Sequence, residues 1–164
     1  MTRRSFVTNG PVLEFSANER SLGETVRLDA AGPVRVRAKA EAQAPLSRVE
    51  LVQNGVVVAS GALAADKLSG AIDETVRIEK SGWLGFRAFG AGSVQAHTSP
   101  IYVEVGGKPA GSKKDAEYFL AWIDRLEAKL KERDRLPSPG LKKHVENQLA
   151  AARDVYRKVA AESE

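Results

Sequence analysis

Alternating apolar and polar residues dominate the first two thirds of the chain. The clearest run is residues 34–42, in which every second residue is Val or Ala and those between are Arg, Lys or Glu. This period of two predicts a β-strand with one buried and one solvated face, as in an antiparallel sheet. Seven further short strands are predicted from apolar or alternating runs at residues 12–15, 25–29, 48–53, 56–60, 74–79, 83–89 and 101–105.

Turn residues separate these strands. Asn54-Gly55 lies between two β-branched runs and predicts a tight hairpin, because both residues tolerate a positive φ. We expect an irregular connection at residues 61–73. Short strands separated by turns are typical of an immunoglobulin-like antiparallel β-sandwich, predicted here over residues 1–107. Because the chain has no cysteine, it lacks the disulfide of antibody domains.

Residues 83–89 are expected to form the central strand. They are apolar on both faces apart from Arg87, as is typical of a strand covered on both sides. Trp83 and Phe89 share the face of Arg87, and one of them is expected to lie opposite the small inward alanines of the clearest alternating strand. Residues 101–105 alternate more regularly and predict a half-exposed strand.

The apolar period lengthens to that of a helix after residues 106–109. Ser112 is placed to cap a first helix, while Ser138 and Pro139 suit the cap and first position of a second. Two amphipathic helices with a short loop predict an antiparallel hairpin over residues 108–164. Since two helices cannot bury both apolar stripes alone, we expect the hairpin to pack on the sandwich.

The first helix carries an apolar stripe with two large aromatic residues. The stripe consists of Phe119, Trp122, Ile123, Leu126 and Leu130. Core packing is the expected role of Phe119 and Trp122, and a partner-binding surface is the alternative.

Charge is spread evenly along the chain. The net charge is +4; residues 1–111 carry 13 Lys and Arg against 11 Asp and Glu, and residues 112–164 carry 12 against 10. Because no basic stripe with interleaved aromatics is present, we expect no nucleic-acid partner. No apolar run approaches the roughly 20 residues of a membrane helix, so no membrane segment is expected. Residues 1–4 resemble the start of a signal peptide, but no hydrophobic region follows them, and the sequence leaves the localisation open.

Candidate chemical residues are few. His97 stands at the entry to the last strand, and a metal-binding or general-base role would require partner ligands. His144 is alone on the second helix, and the sequence has no His-x-His, His-Glu-x-x-His or clustered acidic pattern. We therefore predict no catalytic, cofactor-binding or metal residue in this chain. A structural role is expected for His97, and a secondary site is the alternative for which it is the candidate. The basic residues on the exposed strand faces predict a solvated surface, with anion binding as the alternative; they are Arg35, Arg37, Lys39 and Arg77.

Five stretches of the chain occur in an order typical of one family. They are Phe6–Pro11, the Asn-Gly hairpin Val49–Ser60, the Ser-Gly-Trp-Leu run 81–84, the His-Thr-Ser-Pro-x-Tyr-Val run 97–103 and the helical run Asp115–Asp124. In this combination they resemble the C-terminal region of bacterial PHP-type metal-dependent hydrolases (polymerase and histidinol phosphatase superfamily, carbaryl-hydrolase-like branch). The similarity extends over most of the chain, from about residue 4 to residue 159.

The resemblance implies a role without catalysis for this chain. In such phosphoesterase-like hydrolases the metal-binding histidines and carboxylates belong to a preceding barrel, and no segment here matches them. We therefore expect an accessory domain that supports or orients the barrel or helps it oligomerise, with divalent metals bound only by the barrel. Its partner would be the preceding catalytic domain of the same polypeptide or a second copy. The alternative is a free-standing immunoglobulin-like module that binds a glycan or a protein.

Overall fold

The computed structural model of the chain describes residues 5–133 and 136–163. Within them, the strands are β1 (Phe6–Thr8), β2 (Val12–Ala17), β3 (Thr25–Leu28), β4 (Gly32–Glu41), β5 (Leu46–Gln53), β6 (Val56–Ser60), β7 (Ala62–Leu63), β8 (Ser69–Ile78), β9 (Gly82–Gly90), β10 (Gln95–Thr98) and β11 (Ile101–Val105). The helices are α1 (Lys113–Glu132) and α2 (Pro139–Glu162). The predicted fold class, a mainly β sandwich followed by two C-terminal helices, is confirmed. The signal-like start at residues 1–4 lies outside the described residues.

The chain divides into two compact units, Met1–Ala110 and Gly111–Glu164. The first contains all the described strands and the second contains both helices. Docking of the hairpin on the sandwich stays a prediction. Neither described helix is long and apolar enough to cross a membrane.

Two sheets form the first unit. The four-stranded sheet has the order β2-β4-β8-β7. In the seven-stranded sheet, β9 is central: β5 pairs along one edge, and β10 and β11 pair in succession along the other. The sheet continues from β5 to β6, from β10 to β1, and from β11 to β3, which pairs in parallel. The predicted central position of residues 83–89 is therefore confirmed.

The core lies between the two sheets. Phe15 of β2 and Phe86 of β9 stack across it with ring centroids 6.2 Å apart, and the inward residues of β4 are buried against the same cluster. The prediction that Trp83 or Phe89 would fill the space opposite the β4 alanines was wrong. Phe86 is the large aromatic residue of β9 in the core, because β9 turns the face that carries Arg87 outward.

Three short strands were not predicted, namely β1, β7 and β10. They span only two to four residues, too few for a period of two to be recognised. The connection expected to be irregular contains β7 and the first half of β8. Gly70, the second residue of β8, has no room for a side chain, because a β-carbon there would lie 2.7 Å from Leu63 Cδ2. Contact with the neighbouring strand, which the local pattern does not reveal, favours this extended segment.

The predicted Asn-Gly hairpin is confirmed. Asn54 and Gly55 have φ values of 49° and 86° and join β5 to β6. The register of this pair shifts between Leu51 and Val52, which marks a β-bulge beside the turn.

Both helices begin at their predicted caps. Ser112 Oγ accepts a hydrogen bond from the Asp115 amide at 3.2 Å, and Ser138 Oγ accepts one from the Leu141 amide at 3.2 Å. Tyr156 of α2 stacks on Phe119 near the start of α1 at 5.0 Å, while Arg153 bonds to Asp124 and Glu127 further along, so the helices are antiparallel.

Two aromatic residues of α1 do not take the role that was expected for them. Ile123 is buried, but Phe119 and Trp122 are 41% and 47% exposed. Their assignment to the core was therefore wrong. The hairpin contact is narrow: α1 buries Ala116 and Ile123, and α2 buries Leu149, which leaves the flank with Trp122 open.

Candidate functional site: an aromatic groove on the outer sheet face

An exposed aromatic pair lies on the outer face of the seven-stranded sheet. Trp83 of β9 and Tyr102 of β11 are directly opposite each other in the antiparallel register. Their side chains are 37% and 41% exposed. Cross-strand neighbours of this kind lie about 5 Å apart at Cβ, so both side chains belong to the same part of the outer sheet face.

Gly85 forms the floor beside this pair. It lies two residues along β9 from Trp83, so both residues belong to the same face. Gly85 is buried although it has no side chain, and the nearest atom to a β-carbon there would be Trp83 Cζ3 at 3.4 Å. The tryptophan ring therefore lies against the glycine, and both residues line the same groove.

A groove of about 560 Å³ extends from this floor. Most of its lining is apolar. It is lined by Phe6, Val7, Val52, Trp83, Gly85, Phe86, Arg87, His97, Thr98, Ser99, Pro100 and Tyr102.

Part of the groove lies where the strand opposite β9 is interrupted. β10 ends at Thr98 and β11 begins at Ile101, with Ser99 and Pro100 between them. The buried Thr98 hydroxyl accepts a hydrogen bond from the Phe86 amide at 3.0 Å, and so replaces a bond of the strand ladder. The Ser99 amide is held by the carbonyl of Ser5 at 2.9 Å. Proline cannot donate to a ladder, which explains why the strand breaks at this point.

A row of side chains, polar except for Val7, crosses the sheet at one end of the groove. Strand register places Val7, His97, Arg87 and Glu50 side by side on β1, β10, β9 and β5. Arg87 Nε donates to Glu50 Oε2 at 2.6 Å, and Arg48 Nε donates to Glu50 Oε1 at 2.8 Å. Both carboxylate oxygens of this nearly buried residue are therefore paired with guanidinium groups.

The pKa of the Glu50 carboxyl reflects two opposing causes. Burial alone would raise it, but the hydrogen bonds from Arg87 and Arg48 outweigh burial, and the net pKa is below the ordinary value of 4.5. Glu50 therefore stays ionised at neutral pH and fixes Arg87 at the groove. Arg48 also lies over the Phe89 ring, with its guanidinium carbon 3.8 Å from the ring centroid, which holds this ion pair against an aromatic surface.

His97 is exposed and lies at the rim of the groove, opposite Arg87 in register. Among residues 5–133 and 136–163, no group of three or more His, Asp or Glu side chains is arranged to hold a metal ion. His97 is thus placed beside Trp83, Gly85 and Tyr102 as a groove residue. A role for His97 in a secondary site stays a prediction.

Sequence reasoning missed the groove itself. Trp83 was expected in the core, and neither Tyr102 nor Gly85 was singled out. The signal that could have found it is Arg87: a charged residue on the same face of β9 as Trp83 indicates that this face meets solvent.

The alternative anion-binding face on β4 is occupied by ion pairs. Arg35 donates to Asp73 at 2.6 Å, Arg37 lies 3.9 Å from the same carboxylate, and Lys39 pairs with Glu41 at 2.5 Å. The expectation of a solvated strand face of mixed charge therefore fits the structure.

Fold and surface together define the chain as a β-sandwich with an aromatic groove on one sheet, followed by a helical hairpin. Comparisons with protein-family models, with curated proteins and with solved structures find no match to it.

Proposed function

We propose that this chain is a non-catalytic binding module and that the aromatic groove on its seven-stranded sheet holds the partner. The observation that carries the proposal is the exposed pair Trp83 and Tyr102, which lies beside Gly85, a position on the same face that has no side chain. Tryptophan and tyrosine are enriched in interfaces because they offer a large apolar area together with a polar atom.

Gly85 supports the same proposal on energetic grounds. Glycine within a strand lowers stability by roughly 0.5–1 kcal/mol relative to alanine. Steric crowding does not require it here, since a β-carbon would meet its nearest neighbour at ordinary contact distance. A glycine that packing does not demand, on the central strand and beneath an aromatic ring, suits a surface that a ligand approaches closely.

The first candidate partner is a protein: the catalytic domain of a PHP-type metal-dependent hydrolase, to which this chain would be the accessory domain. The sequence resemblance supports this candidate, and so does the mainly apolar lining of the groove, which suits an apolar side chain from a partner surface. In this role the module would orient the barrel or help it oligomerise, and divalent metals would be bound by the barrel.

The second candidate partner is a glycan. Sugar rings present apolar C–H faces, which stack on exposed aromatic rings, and hydroxyl groups, which need hydrogen-bonding partners. Arg87, His97 and Ser99 line the groove beside the aromatic pair and could supply such partners. On this alternative the chain would act as a free-standing module.

A matched pair of variants tests the proposal. Trp83→Ala removes the aromatic wall of the groove, and Trp122→Ala is the control, because it deletes a comparably exposed tryptophan from the helical unit. Each protein is titrated against a panel of soluble polysaccharides by calorimetry. Binding that Trp83→Ala abolishes and Trp122→Ala retains would support the glycan candidate.

The protein candidate is tested on the gene and on its full product. The reading frame upstream of Met1 is sequenced, and any longer protein is assayed with divalent metal on phosphoester and carboxyl-ester substrates. An in-frame barrel whose activity or thermal stability falls with Trp83→Ala, but not with Trp122→Ala, would support the accessory role. If Trp83→Ala behaves as wild type in both sets of measurements, the groove is not the binding surface and the proposal fails.

A further inference from the structure

One edge of the seven-stranded sheet is open. β6 pairs with β5 on one side, and no strand in the described ranges pairs with its other side. Three consecutive valines of β6 are exposed: Val56 at 65%, Val57 at 39% and Val58 at 42%. Such an edge presents a row of unpaired backbone N–H and C=O groups beside apolar side chains.

The edge also lacks charge, one of the features that usually keep strands apart, although the β-bulge opposite Leu51 and Val52 interrupts its ladder with β5. Residues 51–65 contain no Asp, Glu, Lys or Arg, although 28% of the chain is charged. The other edge strands described here are protected: β1 and β7 span only three and two residues, β2 carries Glu14, and β3 carries Arg27. Shortness and charge are the common means by which proteins block edge-to-edge pairing.

We infer that β6 pairs antiparallel with β6 of a second copy of this chain and so joins two seven-stranded sheets into one. Self-pairing places valines opposite other uncharged residues, and cross-strand β-branched pairs stabilise a sheet. Self-pairing of β2 would instead bring Glu14 close to Glu14 of the second copy, and self-pairing of β3 would bring the two copies of Arg27 together. Both arrangements place like charges side by side. With a two-fold axis between the paired strands, the unpaired backbone N–H and C=O groups of both β6 edges find hydrogen-bonding partners at once, as in an isologous dimer.

The dimer edge is continuous with the groove face. Val57 lies opposite Val52 in the register of β5 and β6, and Val52 lines the groove. A two-fold axis perpendicular to the joined sheet keeps both grooves on the same side. The dimer would therefore present two grooves to a repetitive or oligomeric partner, although the pairing of β6 does not depend on the proposed function.

A five-residue strand pair buries less surface than the roughly 800 Å² per partner of a standard stable interface. The expected dimer is therefore reversible, and its population depends on protein concentration. Sedimentation of the full chain from about 1 to about 300 μM, a range suited to weak association, should show a mass that rises from 17.7 kDa towards twice this value.

Lysine substitution supplies the charge that β6 lacks. The double variant Val56→Lys/Val58→Lys should remain monomeric over the whole range. The matched control is Val12→Lys, the same change at an exposed position on the edge strand β2, which should dimerise like wild type. Circular dichroism establishes that each variant is folded.

Hydrogen–deuterium exchange of the unmodified chain provides a second test that needs no variant. Amides of residues 56–60 should exchange more slowly at high than at low protein concentration, while those of β2 should not change. A wild-type chain that stays monomeric throughout would overturn the inference. So would a dimer that survives the double lysine change, or one whose protection maps to another edge.

Discussion

Two glycines of the central strand are predicted to respond in opposite ways to the same added methyl group. Gly85 and Gly82 both lie on β9, three residues apart. At Gly85 a β-carbon would lie 3.4 Å and 3.8 Å from two ring carbons of Trp83, which is ordinary contact. At Gly82 it would lie 2.2 Å from Asn54 Oδ1, far inside any permitted distance.

The expected magnitudes follow from these contacts. Gly85→Ala removes the unfolded-state freedom of glycine without strain, so the free energy of unfolding should rise by about 0.5–1 kcal/mol. Gly82→Ala must displace the Asn54 side chain, which accepts a hydrogen bond from the Trp83 amide at 2.8 Å. Loss of that bond and the accompanying shift should lower the free energy of unfolding by about 1–2 kcal/mol.

Urea denaturation of the full chain, followed by far-ultraviolet circular dichroism, measures both changes. The midpoint should move up for Gly85→Ala and down for Gly82→Ala, with similar slopes in the two transitions. Gly85→Ala should also weaken any partner binding that Trp83→Ala abolishes, because the methyl group fills the floor of the groove. A Gly85→Ala variant that is destabilised as much as Gly82→Ala would refute the conclusion that a methyl group fits beside the Trp83 ring.

Three further predictions concern the core, the buried ion pair and the hairpin. Phe86→Ala should lower the free energy of unfolding by about 3–5 kcal/mol, because it removes a fully buried ring that stacks on Phe15; a loss below about 1 kcal/mol in urea denaturation would contradict this packing. The pKa of Glu50 is lowered in the folded state, so its stabilising contribution is complete above the unfolded value near 4.5 and is lost as the pH falls through the lower folded value. Stability measured between neutral and acid pH should therefore fall less steeply for Glu50→Gln than for wild type, and identical slopes would show that this carboxyl is not involved. Deletion of residues 112–164 should expose apolar surface and cause aggregation if the hairpin docks on the sandwich, whereas a soluble sandwich that unfolds cooperatively in light scattering and thermal melts would count against docking.

Local pattern was sufficient for most of the architecture. The alternation in β4 defines a buried and a solvated face because successive strand residues point to opposite sides. Asn54 and Gly55 determine a tight turn because both tolerate a positive φ. Ser112 and Ser138 begin the helices because their hydroxyls accept hydrogen bonds from backbone amides that would otherwise be unpaired. These features depend on a few neighbouring residues, so they can be recognised without knowing the rest of the structure.

Which surface is available to a partner was decided by the tertiary structure. Trp83 and Phe86 both belong to an apolar strand, and periodicity alone does not say which face of a central strand meets the second sheet. The groove arises only when β9 is placed beside the interrupted strand β10–β11, so that Tyr102 comes opposite Trp83 and both line one surface with Gly85. The open edge of β6 likewise depends on pairing between strands. Such contacts join residues that are distant in sequence, so the architecture was determined by the local sequence and the candidate site by the assembled sheet.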